Sequence, residues 1–342
     1  MRIIILGTAW TCRDGQETFR GRLAQQLRQE GHEVEVVSLA THYHLLGRIH
    51  LSAPYRWCRT ARYIRQQRPD LLLSHYRHPV SEKALAWVNR LVGKGVRRVA
   101  LAENRLSNRS LLRSLDGVVA LTRQVLTHLQ TVASKRYNPL TFCPLPVNDC
   151  FGPALSRQEA LSQMGLREKQ HYVLFFGFIR DDKGLDLLLQ AMADERMVQM
   201  GVKLIVAGEF QTEAKPYIEQ IKQLDISDRV VMHTEFIPDN EVSRYFCAAD
   251  LVVLPYREAV TSDVAMVAFH YEKPLLVTRR GDLPEIVPDG KAGFVVEPDA
   301  EQLADAIATY FNDYWPVRLT EGLREEKQKY SWENITQTIT SL

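Results

Sequence analysis

VLFFGFIRDDKGLD, residues Val173 to Asp186, sets an apolar strand, a glycine turn, two cations and a helix start in that order. Val173 to Phe176 is an apolar run of strand length, and Gly177 lets the backbone turn sharply. Lys183-Gly184 then precedes LDLLLQAM, where Leu185, Leu188, Leu189 and Met192 recur at helical spacing, so a helix is expected to open near Asp182. Arg180 and Lys183 fall in the strand-to-helix loop, at the carboxyl end of a parallel sheet, where open α/β folds bind ligands and a helix N-terminus adds positive charge. A planar guanidinium fork beside a compact ammonium suits a diphosphate better than a single carboxylate. Two ordinary surface cations in a loop are the other reading of the same residues.

Outward from this stretch the chain alternates regularly. Strand VKLIVAG, a helix from about Thr212, strand RVVMHT, a helix from Asn240 and strand ADLVVLPY follow. A helix from Ser262 to Tyr271, strand PLLVT and a last helix pair after Asp299 complete a parallel α/β domain. Thr261 and Ser262 precede their helix directly after a strand, so their hydroxyls and N–H groups join Arg180 and Lys183 in a two-loop phosphate clamp; an ordinary N-cap uses the same residue types. Pro139 to Pro153, PLTFCPLPVNDCFGP, carries four prolines and reads as the linker.

Before the linker, Arg2 to Leu6 and VEVVSL flank a helix from about Glu17 to Glu30, a βαβ start without the Gly-x-Gly-x-x-Gly fingerprint of dinucleotide sites. DLLLSH, RRVALAEN and DGVVAL read as further buried strands, so His75, His78, Glu103 and Asn104 sit at the carboxyl end of this sheet. Histidines so placed serve as structural groups or as catalysts. YRWCRTARYIRQQR, residues 55 to 68, spaces Trp57, Ala61 and Ile64 helically among Arg56, Arg59, Arg62, Arg65 and Arg68. Such a helix rests on an anionic membrane or packs in a domain with solvated arginines.

The 342 residues fit two domains rather than one core. Five cysteines, an odd number with no Cys-x-x-Cys pair, give no support to a zinc site or a disulfide framework. No apolar run is long enough to span a bilayer and the N-terminus lacks signal-peptide character, so a cytoplasmic protein is expected, with peripheral attachment to the inner face of the membrane as an option. Net charge hides an asymmetry: residues 1 to 150 carry +13 and the remainder −11. Anionic surfaces are therefore expected to meet the first half: a membrane leaflet, a phosphate-bearing acceptor, nucleic acid or the acidic second half itself. Nucleic acid ranks low among them, because no reader motif or basic tail is present.

FFGFIRDDKGLDLLLQA resembles the Arg-x-x-Lys donor-phosphate segment of family 4 retaining glycosyltransferases. FIPDNEVSRYFCAADLVVLPY and KPLLVTRRGDLPEIVPDGKAGFVVEPD resemble two later segments of that family, so the match is specific over roughly residues 171 to 300. The resemblance implies the α/β GT-B fold, two Rossmann-like doubly wound parallel-sheet domains facing across a cleft. Residues 1–150 would form a basic acceptor-binding domain, 151–330 a donor-binding domain, and 331–342 a closing helix returning to the first. It further implies a hexosyltransferase that needs no metal and no cofactor and moves a sugar from a UDP- or GDP-sugar to a hydroxyl of a sugar or glycolipid acceptor, in polysaccharide or glycolipid biosynthesis.

Residue by residue, the resemblance assigns Arg180 and Lys183 to the leaving diphosphate and places Gly177, Thr261 and Ser262 at the donor. Glu285, in GDLPEIV, stands where the family has a donor-facing acid, though it reads equally as an N-terminal helix charge. Asp14-Gly15 represents the family's glycine-rich first loop, with Gly15 lending backbone N–H groups or making a bare turn. His78, Glu103 and Asn104 are the acceptor or sugar candidates. Departures are specific. The family's glutamate pair would fall at Ala259 and Val267, with Glu258, one place off, as the donor-binding substitute for the first; Asp263 replaces a glycine at the donor and would hold a sugar hydroxyl or repel the diphosphate; Glu103 stands where relatives carry a histidine before Asn104. A non-catalytic subunit that binds a sugar nucleotide or scaffolds a glycan-assembly complex is the alternative these departures support.

Overall fold

The computed structural model describes residues 1–9, 16–40, 44–45, 48–49, 53–76, 82–93, 95–132, 139–259, 262–312 and 315–342. Gly15, His78 and Thr261 lie outside the described residues. The described chain forms two units: Met1–Pro146 with Tyr330–Leu342, and Val147–Lys329.

The first unit holds β1 (Arg2–Ala9), β2 (Glu33–Ala40), a two-residue pair β3 (His44–Leu45) and β4 (Arg48–Ile49), then β5 (Leu71–Tyr76), β6 (Arg97–Ala102), β7 (Gly117–Ala120) and β8 (Leu140–Phe142). Six of these make one parallel sheet in the order β2-β1-β5-β6-β7-β8. Apolar β-branched and leucine residues dominate its inner strands because both faces are covered by helices. Ile3, Ile4, Ile5 and Leu6 are fully buried, each contributing about 1.5–3 kcal/mol relative to exposure.

The proline-rich stretch is not linker throughout. Leu140–Phe142 pairs in parallel with β7 as the edge strand β8, the position in a sheet where flanking prolines cost no ladder hydrogen bond. At the other end of the chain, the helix Trp332–Ser341 belongs to this unit. Its Ile335 and Ile339 are fully buried, Thr336 donates to Glu30 at 2.7 Å, and the Trp332 ring lies 5.4 Å from that of Phe19. The arginine-rich helix, Ala53–Gln67, packs through Ala61 and Ile64 while Arg56, Arg59, Arg62 and Arg65 stay exposed.

The second unit holds β9 (His171–Phe176), β10 (Val202–Ala207), β11 (Val230–His233), β12 (Leu251–Leu254), β13 (Leu275–Thr278) and β14 (Gly293–Val296). All are parallel, in the order β11-β10-β9-β12-β13-β14. Chain direction across the sheet reverses between β9 and β12, which makes the loops leaving those two strands the topological switch point of this unit. Leu185, Leu188 and Leu189, recognised by their spacing, are fully buried in its core. The helix they form starts later than expected, at Leu185. Asp181–Lys183 make a single 3-10 turn and Gly184 follows at φ 67°, a left-handed conformation that interrupts the helical path and favours glycine. Among the described residues no helix is long and apolar enough to cross a membrane, and Cys58, Cys143, Cys150 and Cys247 are free thiols.

Candidate anion site at the switch point of the second unit

The loops leaving β9 and β12 meet through backbone. Gly184 approaches the carbonyl of Pro255 so closely that a Cβ would stand 2.0 Å from its oxygen. The Arg257 and Glu258 amides both donate to the carbonyl of Asp182, at 2.8 and 3.4 Å. A similar approach shapes the turn after β9: a Cβ on Gly208 would lie 2.0 Å from the Gly177 carbonyl oxygen. Gly177 itself has φ 109°, and a Cβ there would lie 3.5 Å from Val264 in the first turn of the helix Asp263–His270. Glycines at these points let two loops share one small volume.

Into that volume come the two cations read from the sequence. Lys183 Nζ lies 3.7 Å from the centroid of the Tyr256 ring, a cation–π contact, and its side chain is only 20% exposed. Burial pulls its pKa below the ordinary lysine value; Asp182 and Asp263 oppose that fall, and Arg180 adds to it. Arg180 is more open, with 46% of its side chain exposed. Its Nε and Nη2 donate to the two carboxylate oxygens of Asp182, each at 3.0 Å.

Ser262 is the N-cap of the helix Asp263–His270. Its Oγ accepts from the Ala265 amide at 3.3 Å and lies 3.4 Å from the Tyr256 hydroxyl. The N-cap reading of Ser262 is thus realised, at the place where the phosphate clamp was expected. Burial, with smaller contributions from Asp263 and Asp182, pushes the Tyr256 phenol up to about 12, so the ring under Lys183 stays neutral in the physiological range. Thr278 donates to the Tyr256 carbonyl at 2.5 Å, tying in the end of β13.

Arg257 was not singled out from the sequence. It closes a fork on Asp186, Nη1 to Oδ1 at 2.5 Å and Nη2 to Oδ2 at 2.6 Å, and so holds the first turn of the helix Leu185–Ala191 against the β12 loop. Both side chains are about one-third exposed, so the pair adds little to global stability and acts chiefly on loop position. Its position directly after ADLVVLPY was the only signal available. Tyr217, from the helix Lys215–Gln223, donates to Asp181 at 3.2 Å and anchors the loop from its other side.

Of the remaining candidates, Glu258 and Asp263 border this site and the others fall elsewhere. Glu258 is exposed, meeting the cation loop through its amide. Asp263 is exposed at the first position of its helix and interacts electrostatically with Lys183. Glu285 is exposed in the short helix Leu283–Ile286, on the separate loop leaving β13. Val267, one of the two positions of the missing glutamates, is buried in the core, and Ala259 is partly exposed. In the first unit Glu103 and Asn104 follow β6. The Glu103 carboxylate is turned to His75, Oε1 to Nε2 at 2.7 Å, with both groups buried. Asn104 beside it is partly exposed.

The family model described as glycosyl transferases group 1 matches residues 156–330. Among curated proteins, the lipopolysaccharide 1,2-N-acetylglucosaminetransferase of Salmonella typhimurium is 30% identical over 188 residues, 51% of this chain and 48% of that protein. The D-inositol 3-phosphate glycosyltransferase of Mycobacterium marinum is 29% identical over 190 residues, 54% of this chain and 40% of that one. The chain thus spans about half the length of these relatives, or less. Among solved structures, a glycosyltransferase from Rickettsia africae superposes with TM-score 0.80 at 15% identity, covering 99% of this chain and 97% of that one. Anabaena HepE in complex with UDP gives TM-score 0.72 at 18% identity, covering all of both chains. At such identities these structures speak for the fold alone.

Proposed function

This chain belongs to the glycosyl transferases group 1 family and has the GT-B fold that its sequence implied, and we propose that it is a retaining, metal-independent glycosyltransferase. In this reading it moves a sugar from a nucleoside diphosphate sugar to an acceptor hydroxyl in lipopolysaccharide, polysaccharide or glycolipid synthesis. The observation that carries it is the convergence of Arg180, Lys183, Tyr256 and Ser262 where the β9 and β12 loops meet.

As the bond from the anomeric carbon to the phosphate oxygen breaks, negative charge grows on the departing diphosphate. Lys183 and Arg180 supply positive charge beside it, and they act more strongly on the transition state than on the bound donor. The acceptor oxygen forms its new bond on the same face, and its proton passes to the departing phosphate. UDP is the first nucleotide to try, since a structural relative is solved with it, and GDP the second.

A thermal-shift screen tests the donor site, because a ligand specific for the folded state raises the melting point. UDP or GDP should stabilise wild type and leave Arg180→Ala/Lys183→Ala unchanged. With the donor so found, the anomer formed, read by NMR in excess EDTA, tests the rest: an inverted product refutes retention, and loss of turnover refutes metal independence. A protein that binds nucleotide through these residues and turns over no donor would be the non-catalytic subunit that Ala259 and Val267 favour.

The basic first half supports a membrane-facing role. Tyr55 is 72% and Trp87 47% exposed, and they accompany the exposed Arg56, Arg59 and Arg62. Aromatic rings among arginines suit an anionic lipid surface. Co-flotation with vesicles containing phosphatidylglycerol should be lost in Arg59→Glu/Arg62→Glu/Arg65→Glu; retention would refute the role.

A further inference from the structure

We propose that Asp182 is an internal competitor for the anion-binding fork of Arg180, occupying it until an anion displaces the carboxylate; the inference rests on the donor-site reading above. Three acidic residues stand in the loop and the first turn of the helix that follows it. Asp181 accepts from Tyr217 and Asp186 is held by Arg257, so those two carboxylates are engaged with the scaffold. Asp182 instead turns onto the cations. Its two oxygens take Nε and Nη2 of Arg180 at 3.0 Å each, and Oδ2 lies 3.9 Å from Lys183 Nζ.

A carboxylate and a phosphate present the same paired acceptors to a guanidinium edge, so one fork edge cannot hold both. Asp182 can leave without unfolding the loop. Its carbonyl is pinned by the amides of Arg257 and Glu258, and its side chain is 31% exposed, so rotation about the side-chain torsions takes the carboxylate into water while the backbone stays fixed. An anion that takes the Nε and Nη2 edge of Arg180 must displace it. That cost is the same for every ligand that takes the edge, so Asp182 weakens each of them by the same factor.

Calorimetric titrations of UDP, UMP, GDP and GMP into wild type, Asp182→Asn, Arg180→Gln and the double variant test this. Asp182→Asn should bind the preferred diphosphate about fivefold more tightly, the scale of losing one partly exposed competing ion pair. A monophosphate that takes the same edge should gain by a similar factor, and both gains should shrink in the Arg180→Gln background, where only the charge beside Lys183 is removed. Asp182→Ser should reproduce the result, with melting curves confirming that both variants fold. Unchanged or weaker binding by both Asp182 variants, or a gain of undiminished size without Arg180, overturns the role of Asp182 alone. Diphosphate binding that survives Arg180→Ala/Lys183→Ala, or none by wild type and Asp182→Asn alike, overturns the donor-site reading and this inference together.

Discussion

Lys183→Ala is expected to lower kcat/KM for the donor by on the order of 10²-fold, the scale of removing one preorganised group from developing charge. Arg180→Ala is expected to cost less. Lys183 is the more buried of the two, seated on the Tyr256 ring at 3.7 Å with 20% of its side chain exposed against 46% for Arg180. A charge in that setting is screened less by water, and its interaction with a growing anion is larger. Lys183→Arg should recover little, because a planar guanidinium on a longer arm does not reproduce a point charge on the ring. Steady-state kinetics with saturating acceptor provide the check. A loss below about fivefold for Lys183→Ala would mean that the principal electrostatic stabilisation lies elsewhere.

Gly184→Ala should be the most destabilising single change in the loop, by about 3 kcal/mol, from a left-handed backbone made unfavourable and a methyl forced against a carbonyl. Two glycines of the second unit separate these causes. Gly184 and Gly201 have nearly the same φ, 67° and 65°, but a Cβ at Gly184 meets the Pro255 oxygen at 2.0 Å while one at Gly201 meets nothing within 4 Å. Gly201→Ala should therefore cost only about 1 kcal/mol, the backbone share. In a domain of this size the difference corresponds to a melting-point gap of roughly 5 °C. Equal melting points would show that the contact between the two loops is not needed for stability.

The family and the parallel α/β character of both halves were legible because they rest on local patterns. Strands buried on both faces must be apolar throughout, and VLFF, KLIV and DLVVL satisfy that without reference to anything distant in the chain. Lys183 and Arg180 were legible for a related reason: a cation after a strand and before a helix lies at the carboxyl end of a parallel sheet whatever the sheet order. The edge strand Leu140–Phe142 was hidden because its prolines signal a break while its partner, β7, supplies the ladder from outside the stretch. The helix start was misplaced because the αL conformation of Gly184 is imposed by the close approach of Pro255, about 70 residues later in the chain.

The sequence by itself determined which residues are buried and which loops carry charge, since hydrophobic periodicity and turn chemistry act between neighbours. Only the tertiary structure decided which charges meet. That Asp182 rather than Asp181 or Asp186 sits on Arg180 depends on side-chain directions within one loop, and that Arg257 holds Asp186 and Glu103 turns to His75 depends on contacts between segments far apart in the chain. A carboxylate has the same composition signature whether it braces a scaffold, faces a histidine or competes for an arginine; its partner is chosen by geometry at the level of single ångströms.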